Sequence, residues 1–112
     1  MVVSYQVEFE HETPTIEEVA RRFREATGLE LKVEPFGASS FALSAVPLRG
    51  DVELMLGRGA RLLVFRAHLG YFEWAILRAL QRLGGRVPAH VFPRYADVPW
   101  TSLAWYSRWL HR

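Results

Sequence analysis

The sequence predicts an α+β domain: a five-stranded antiparallel sheet with two helices on one face, in the order strand, helix, four strands, helix, plus a short C-terminal helix. Three observations carry this. Residues 2–10 alternate apolar and polar, as a half-buried strand does. Two later stretches, behind Thr15 and from Tyr71, carry apolar residues at the three-and-four spacing of a helix face. Between them lie four short apolar runs separated only by turn-forming residues, and strands joined by short turns run antiparallel.

In the first strand Val3, Tyr5, Val7 and Phe9 form one side, against Ser4, Gln6, Glu8 and Glu10. Pro14 breaks the pattern, and Thr15 with Glu18 spells a capping box. Ile16, Val19, Ala20, Phe23 and Ala26 then make a core-facing stripe that Gly28 ends. Glu17 with Arg21, Glu18 with Arg22, and Arg21 with Glu25 are spaced for pairing on the exposed side.

Leu29, Leu31 and Val33 alternate with charged residues in a second strand that stops near Pro35. Phe41 to Val46 is apolar on both sides except at Ser44, which predicts an interior third strand. Val52, Leu54 and Leu56 define the fourth, and Gly57-Arg58-Gly59 is a tight hairpin tip leading into the fifth, Arg61 to Ala67. Gly70 opens the second helix, whose core stripe is Phe72, Ala75, Ile76, Ala79, Leu80 and Leu83; Glu73 sits in its first turn, where a carboxylate favours the dipole. Gly84 and Gly85 close it. Arg86 to Pro99 holds three prolines and reads as an extended loop, and Thr101 or Ser102 caps the short final helix. The βαββββα order resembles the TATA-binding-protein-like arrangement. A ferredoxin-like sandwich is the alternative, and it requires a further strand after the second helix.

The 112 residues are read as one domain, 1–112, half of them apolar, and a chain this long buries about 65% of its unfolded surface. With no cysteine, disulfides and thiolate chemistry are excluded. The first ten residues lack the basic and apolar segments of a signal peptide, so a cytoplasmic location is expected. The net charge of +2 conceals a split: residues 1–56 carry five basic against ten acidic groups, and residues 57–112 nine against two. Such asymmetry suits an anionic partner only if the halves remain apart in space.

Catalytic chemistry has little to work with. His11, His68, His90 and His111 form no metal-ligand spacing, and no serine sits in a nucleophile elbow. No metal, cofactor or catalytic residue is therefore expected, and a non-enzymatic role is. The second helix leaves Tyr71, Trp74, Arg78 and Arg82 beside its core stripe, and the C-terminus adds Trp105, Arg108, Trp109 and Arg112. Tryptophan, tyrosine and arginine dominate protein–protein hot spots, so these eight residues are the candidate interaction surface. The simpler reading of the tryptophans is that they complete the core.

The second helix with Pro88, Pro93 and the stretch Val98 to Arg112 resembles a group of small uncharacterised bacterial α+β proteins, with an A-x-x-A-L-x-x-L-G-G helix and a tryptophan-rich C-terminus. The charge-split small domain is similar in style to toxin-neutralising immunity proteins. Neither resemblance implies an activity. The expected function is binding by protein–protein contact, with a protein partner or a homodimer and no membrane. Nucleic-acid binding by the basic C-terminal half is an alternative, as is a small-ligand pocket between sheet and second helix lined by Tyr5, Phe41, Phe65 and Phe72.

Overall fold

A computed structural model describes residues 3–91 apart from Pro47, Arg58 and Leu69. It contains β1 (Val3–Glu8), α1 (Ile16–Thr27), β2 (Lys32–Pro35), β3 (Ser40–Ser44), β4 (Val52–Leu56), β5 (Arg61–Arg66) and α2 (Tyr71–Arg82). The expected α+β architecture and element order are present. The short C-terminal helix falls outside the described residues.

The five strands form one sheet in the order β1-β5-β4-β3-β2, and every neighbouring pair is antiparallel. The chain therefore starts at one edge, crosses to the other through α1, and returns as a four-strand meander until β5 lies against β1. Beyond α2, the extra strand that a ferredoxin-like sandwich requires is represented among the described residues by a single bridge, Glu8 with Arg86.

Local chemistry explains where the helices start and stop. The Thr15 hydroxyl accepts from the Glu18 N–H at 3.2 Å while the Glu18 carboxylate accepts from the Thr15 N–H at 3.1 Å, completing the capping box. Gly28 takes the left-handed conformation, φ 74°, that ends α1. At the end of α2, Gly84 (φ 97°) donates to the Gln81 carbonyl and Gly85 to the Leu80 carbonyl, the paired bonds of a Schellman motif.

The sheet's period of two sorts its residues onto faces. Tyr5, Val7, Leu43, Val52, Leu54, Leu62 and Val64 are buried on one side beneath both helices. Val19 and Phe23 of α1 join Phe72, Ala75, Ile76, Ala79 and Leu80 of α2 in the same cluster, and the Phe23 and Phe72 rings meet edge-on at 5.7 Å. The structure widens the buried part of α2 beyond the stripe read from the sequence: Trp74 and Leu77 are also fully buried. No helix among the described residues is long and apolar enough to cross a membrane.

Candidate functional site

Of the four surface candidates on α2, three keep polar or aromatic groups accessible. Tyr71 is 40% exposed, Arg82 is exposed and Arg78 is half-buried, donating to the Gln81 side chain at 3.2 Å. Burial and the neighbouring Arg82 charge both lower the Arg78 pKa. Trp74 is 0% exposed and so presents no surface. Trp105, Arg108, Trp109 and Arg112 lie outside the described residues.

Beneath α2 is a polar cluster that the sequence reading missed. Glu73 is fully buried; its carboxylate accepts a hydrogen bond from the Tyr5 hydroxyl at 2.5 Å and lies 3.4 Å from Arg66 Nε, itself largely covered. Tyr5 and Arg66 come from β1 and β5, on the sheet face that the helices cover, so the cluster ties the first turn of α2 to both strands. Glycine makes that placement possible. Gly70 precedes the helix with its backbone against the Arg49–Gly50 loop, and the Arg49 carbonyl accepts from the Phe72 N–H at 3.1 Å. A backbone group from another loop thus caps α2, where no side chain does.

The proposed pocket between sheet and helix divides on geometry. Tyr5 faces the helices, whereas Phe65, directly opposite Ser4, is on the other face, and Phe72 is closed into the core. Two open features bear on binding, one at the outer edge of β1 and one on the sheet face away from the helices.

The first is a cleft of about 520 Å³ along the outer edge of β1, walled by Ser4, Gln6 and Glu8 and by Arg86, Pro88 and His90. Glu8 and Arg86 close one end, exchanging both backbone hydrogen bonds (3.4 and 2.8 Å) and pairing their side chains at 3.4 Å.

The second is the sheet face away from the helices. Register aligns Gln6, Leu63, Met55 and Ser40 in one row across the strands, and Ser4, Phe65, Glu53, Ala42 and Glu34 in the next. Leu63, Phe65 and Ala42 are half-buried and Met55 is 38% exposed. Glu53 sits within this short apolar band, between Phe65 and Ala42, and Glu8, Arg61, Glu34 and Lys32 border it, the last two paired at 3.1 Å.

The histidines do not converge, and no group of three or more metal-ligating side chains occurs among the described residues. His68 instead fastens two loops, its N–H donating to Asp51 Oδ1 at 2.8 Å with its ring 3.3 Å from Oδ2. Burial pushes the Asp51 carboxyl up, but the His68 hydrogen bonds and charge outweigh it and hold the pKa below the ordinary value. Because the folded pKa is the lower one, this tie contributes fully above the unfolded value of about 3.9 and is lost as pH falls through the folded pKa. Asp51→Asn should therefore reduce the loss of stability on acidification below about pH 4. Urea midpoints measured against pH check this, and identical acid limbs for the two proteins would refute it.

No protein-family model, no curated protein and no solved structure matches this chain.

Proposed function

We propose that the chain is a non-enzymatic binding module that acts by protein–protein contact through the helix-free face of its sheet. The observation that supports this is the band of Leu63, Phe65, Met55 and Ala42, part-exposed on a face that no described helix covers. Apolar side chains there gain free energy only when another surface removes them from water, at about 25 cal/mol per Å². A TATA-binding-protein-like arrangement and a cytoplasmic setting belong to the same reading. The β-α-β₄-α order supports the former and the cysteine-free sequence the latter.

Met55→Glu tests it. The substitution puts a charge at the centre of the band on an exposed side chain, and should shift stability by no more than about 0.5 kcal/mol. Self-association measured by light scattering, or retention of a copurifying partner from the native cell, should fall at least about tenfold. Equal association by both proteins would remove the face from consideration.

A second reading rests on Arg78 and Arg82. These adjacent guanidiniums have no carboxylate partner among the described residues, which suits an anionic ligand on α2. It requires retention on a polyanion column that falls steeply with salt and is lost in Arg78→Gln/Arg82→Gln.

A further inference from the structure

The two edges of the sheet are finished differently. On β2, the residues of outward parity are Val33 and Pro35: the Phe36 N–H bonds the Ser40 carbonyl, which turns the even positions inward to β3. Pro35 has no N–H to offer, the strand is only four residues long, and the Lys32–Glu34 pair flanks it. These are the features by which native edges resist pairing.

β1 is six residues long and carries no proline, and its charge pair, Glu8 with Arg86, stands at its very end. The Phe9 N–H bonds the Ala60 carbonyl, so the odd positions of β1 face β5 and the even ones face outward. Glu8 uses its outward N–H and C=O on Arg86. Continued in the same antiparallel register, the chain would set residue 88 opposite Gln6. That residue is Pro88, which cannot donate, and the backbone there leaves the lane in a tight turn, the Val91 N–H bonding the Pro88 carbonyl at 3.1 Å. A sixth strand thus begins at Arg86 and is abandoned two residues later. The outward backbone groups of Ser4 and Gln6 have no partner among the described residues, and they line the 520 Å³ cleft.

We propose that this cleft takes an extended polypeptide segment, which completes the abandoned sixth strand by pairing with Ser4 and Gln6. Only an extended backbone offers donors and acceptors at the spacing of a strand edge. The lane also selects side chains. Those on the helix side meet Val87 and should be apolar, while those on the other side neighbour Ser4 and Gln6 and should be small and polar. A second copy fits less well. Arg86 closes the lane at Glu8, and a second β1 would have to bring its whole folded domain in beside the Arg86–His90 wall to reach Ser4 and Gln6. A single chain is slim enough to lie between β1 and the Arg86–His90 wall.

Amide hydrogen exchange followed by NMR on the whole protein tests the assignment with a defined probe, a blocked hexapeptide of alternating threonine and valine. In the free protein the Ser4 and Gln6 amides should exchange quickly while those of Tyr5 and Val7 are protected. The probe at about 1 mM should slow Ser4 and Gln6 by at least about tenfold. The same peptide N-methylated at alternate residues keeps its side chains and loses its edge donors, so it should give no protection. Met55→Glu should respond like the wild type, which separates this edge from the helix-free face. Protection of Ser4 and Gln6 already present in the free protein would mean that the lane is filled by the protein itself. That result would overturn the proposal, as would no protection at that probe concentration, equal protection by the N-methylated peptide, or loss of the response in Met55→Glu.

Discussion

Replacing Glu73 with alanine should destabilise the protein by about 3–5 kcal/mol, the usual cost of breaking a buried ion pair from one side. The carboxylate is fully buried, and two groups from different strands converge on it. Alanine takes from Arg66 its buried counter-charge and from the Tyr5 hydroxyl its acceptor, and leaves a void where the side chain packed. Glu73→Gln should fall between, since the amide oxygen still accepts from Tyr5 but carries no charge. Removing both charges together should cost less than the sum. In Arg66→Met/Glu73→Leu the desolvation penalty disappears with the pair, and the double-mutant coupling measures the interaction itself. Urea denaturation followed by tryptophan fluorescence reads these three variants and the single mutants Arg66→Met and Glu73→Leu that complete the cycle. If Glu73→Ala stays within about 1 kcal/mol of the wild type, the cluster does not hold α2 to the sheet.

Gly70→Ala should cost about 3 kcal/mol, although Gly70 has an ordinary extended backbone at φ −177°. The reason is proximity and not dihedral strain. A Cβ on Gly70 would lie 2.0 Å from the Arg49 carbonyl oxygen and 2.8 Å from the Gly50 nitrogen. Both are backbone atoms and cannot swing aside as the tip of a side chain does. Either the Arg49–Gly50 loop lifts, or α2 loses the carbonyl that caps it and begins later, carrying Glu73 out of register. Gly59→Ala is the matched comparison. There φ is 81° but nothing lies within 4 Å of the added carbon, so the cost should be only the conformational 1–2 kcal/mol or so. Equal losses at the two sites would mean that the close approach at Gly70 is readily relieved.

Both effects concern residues that the sequence marked only in part. Gly70 was legible as the start of a helix, since glycine precedes an apolar-periodic run, but nothing local shows that Arg49 would press against it. Glu73 was legible as a first-turn carboxylate favoured by the dipole. Its burial was not, because it depends on Arg66 and Tyr5 arriving from strands on the same face. Arg66 gave a faint signal: in the alternation of β5 it falls in phase with Leu62 and Val64, on the core side, where an unpaired arginine would be costly. An inward arginine asks for a carboxylate, and Glu73 is the nearest acid along the chain.

Trp74 shows the opposite limit. The stripe from Phe72 to Leu83 identifies one buried face, yet periodicity reports only the face that is consistently apolar. Whether a second face of the helix is also enclosed depends on what packs there. Phe65 was misplaced for a related reason. An apolar residue beside Val64 looked fit to line a pocket with Tyr5, but register sets it opposite Ser4 on the other side of the sheet.

The sequence by itself determined the element order, the capping box of Thr15 and Glu18, the Gly28 and Gly84 helix ends and the meander from β2 to β5, because each depends on chemistry within a few neighbouring residues. Only the tertiary structure decided that β1 pairs with β5, that Glu73 is enclosed with Tyr5 and Arg66, and that the backbone turns away at Pro88, so that Ser4 and Gln6 find no backbone partner on their outer side among the described residues. Those outcomes join residues about 50 to 80 positions apart, and the contact between them exists only when the whole sheet has closed.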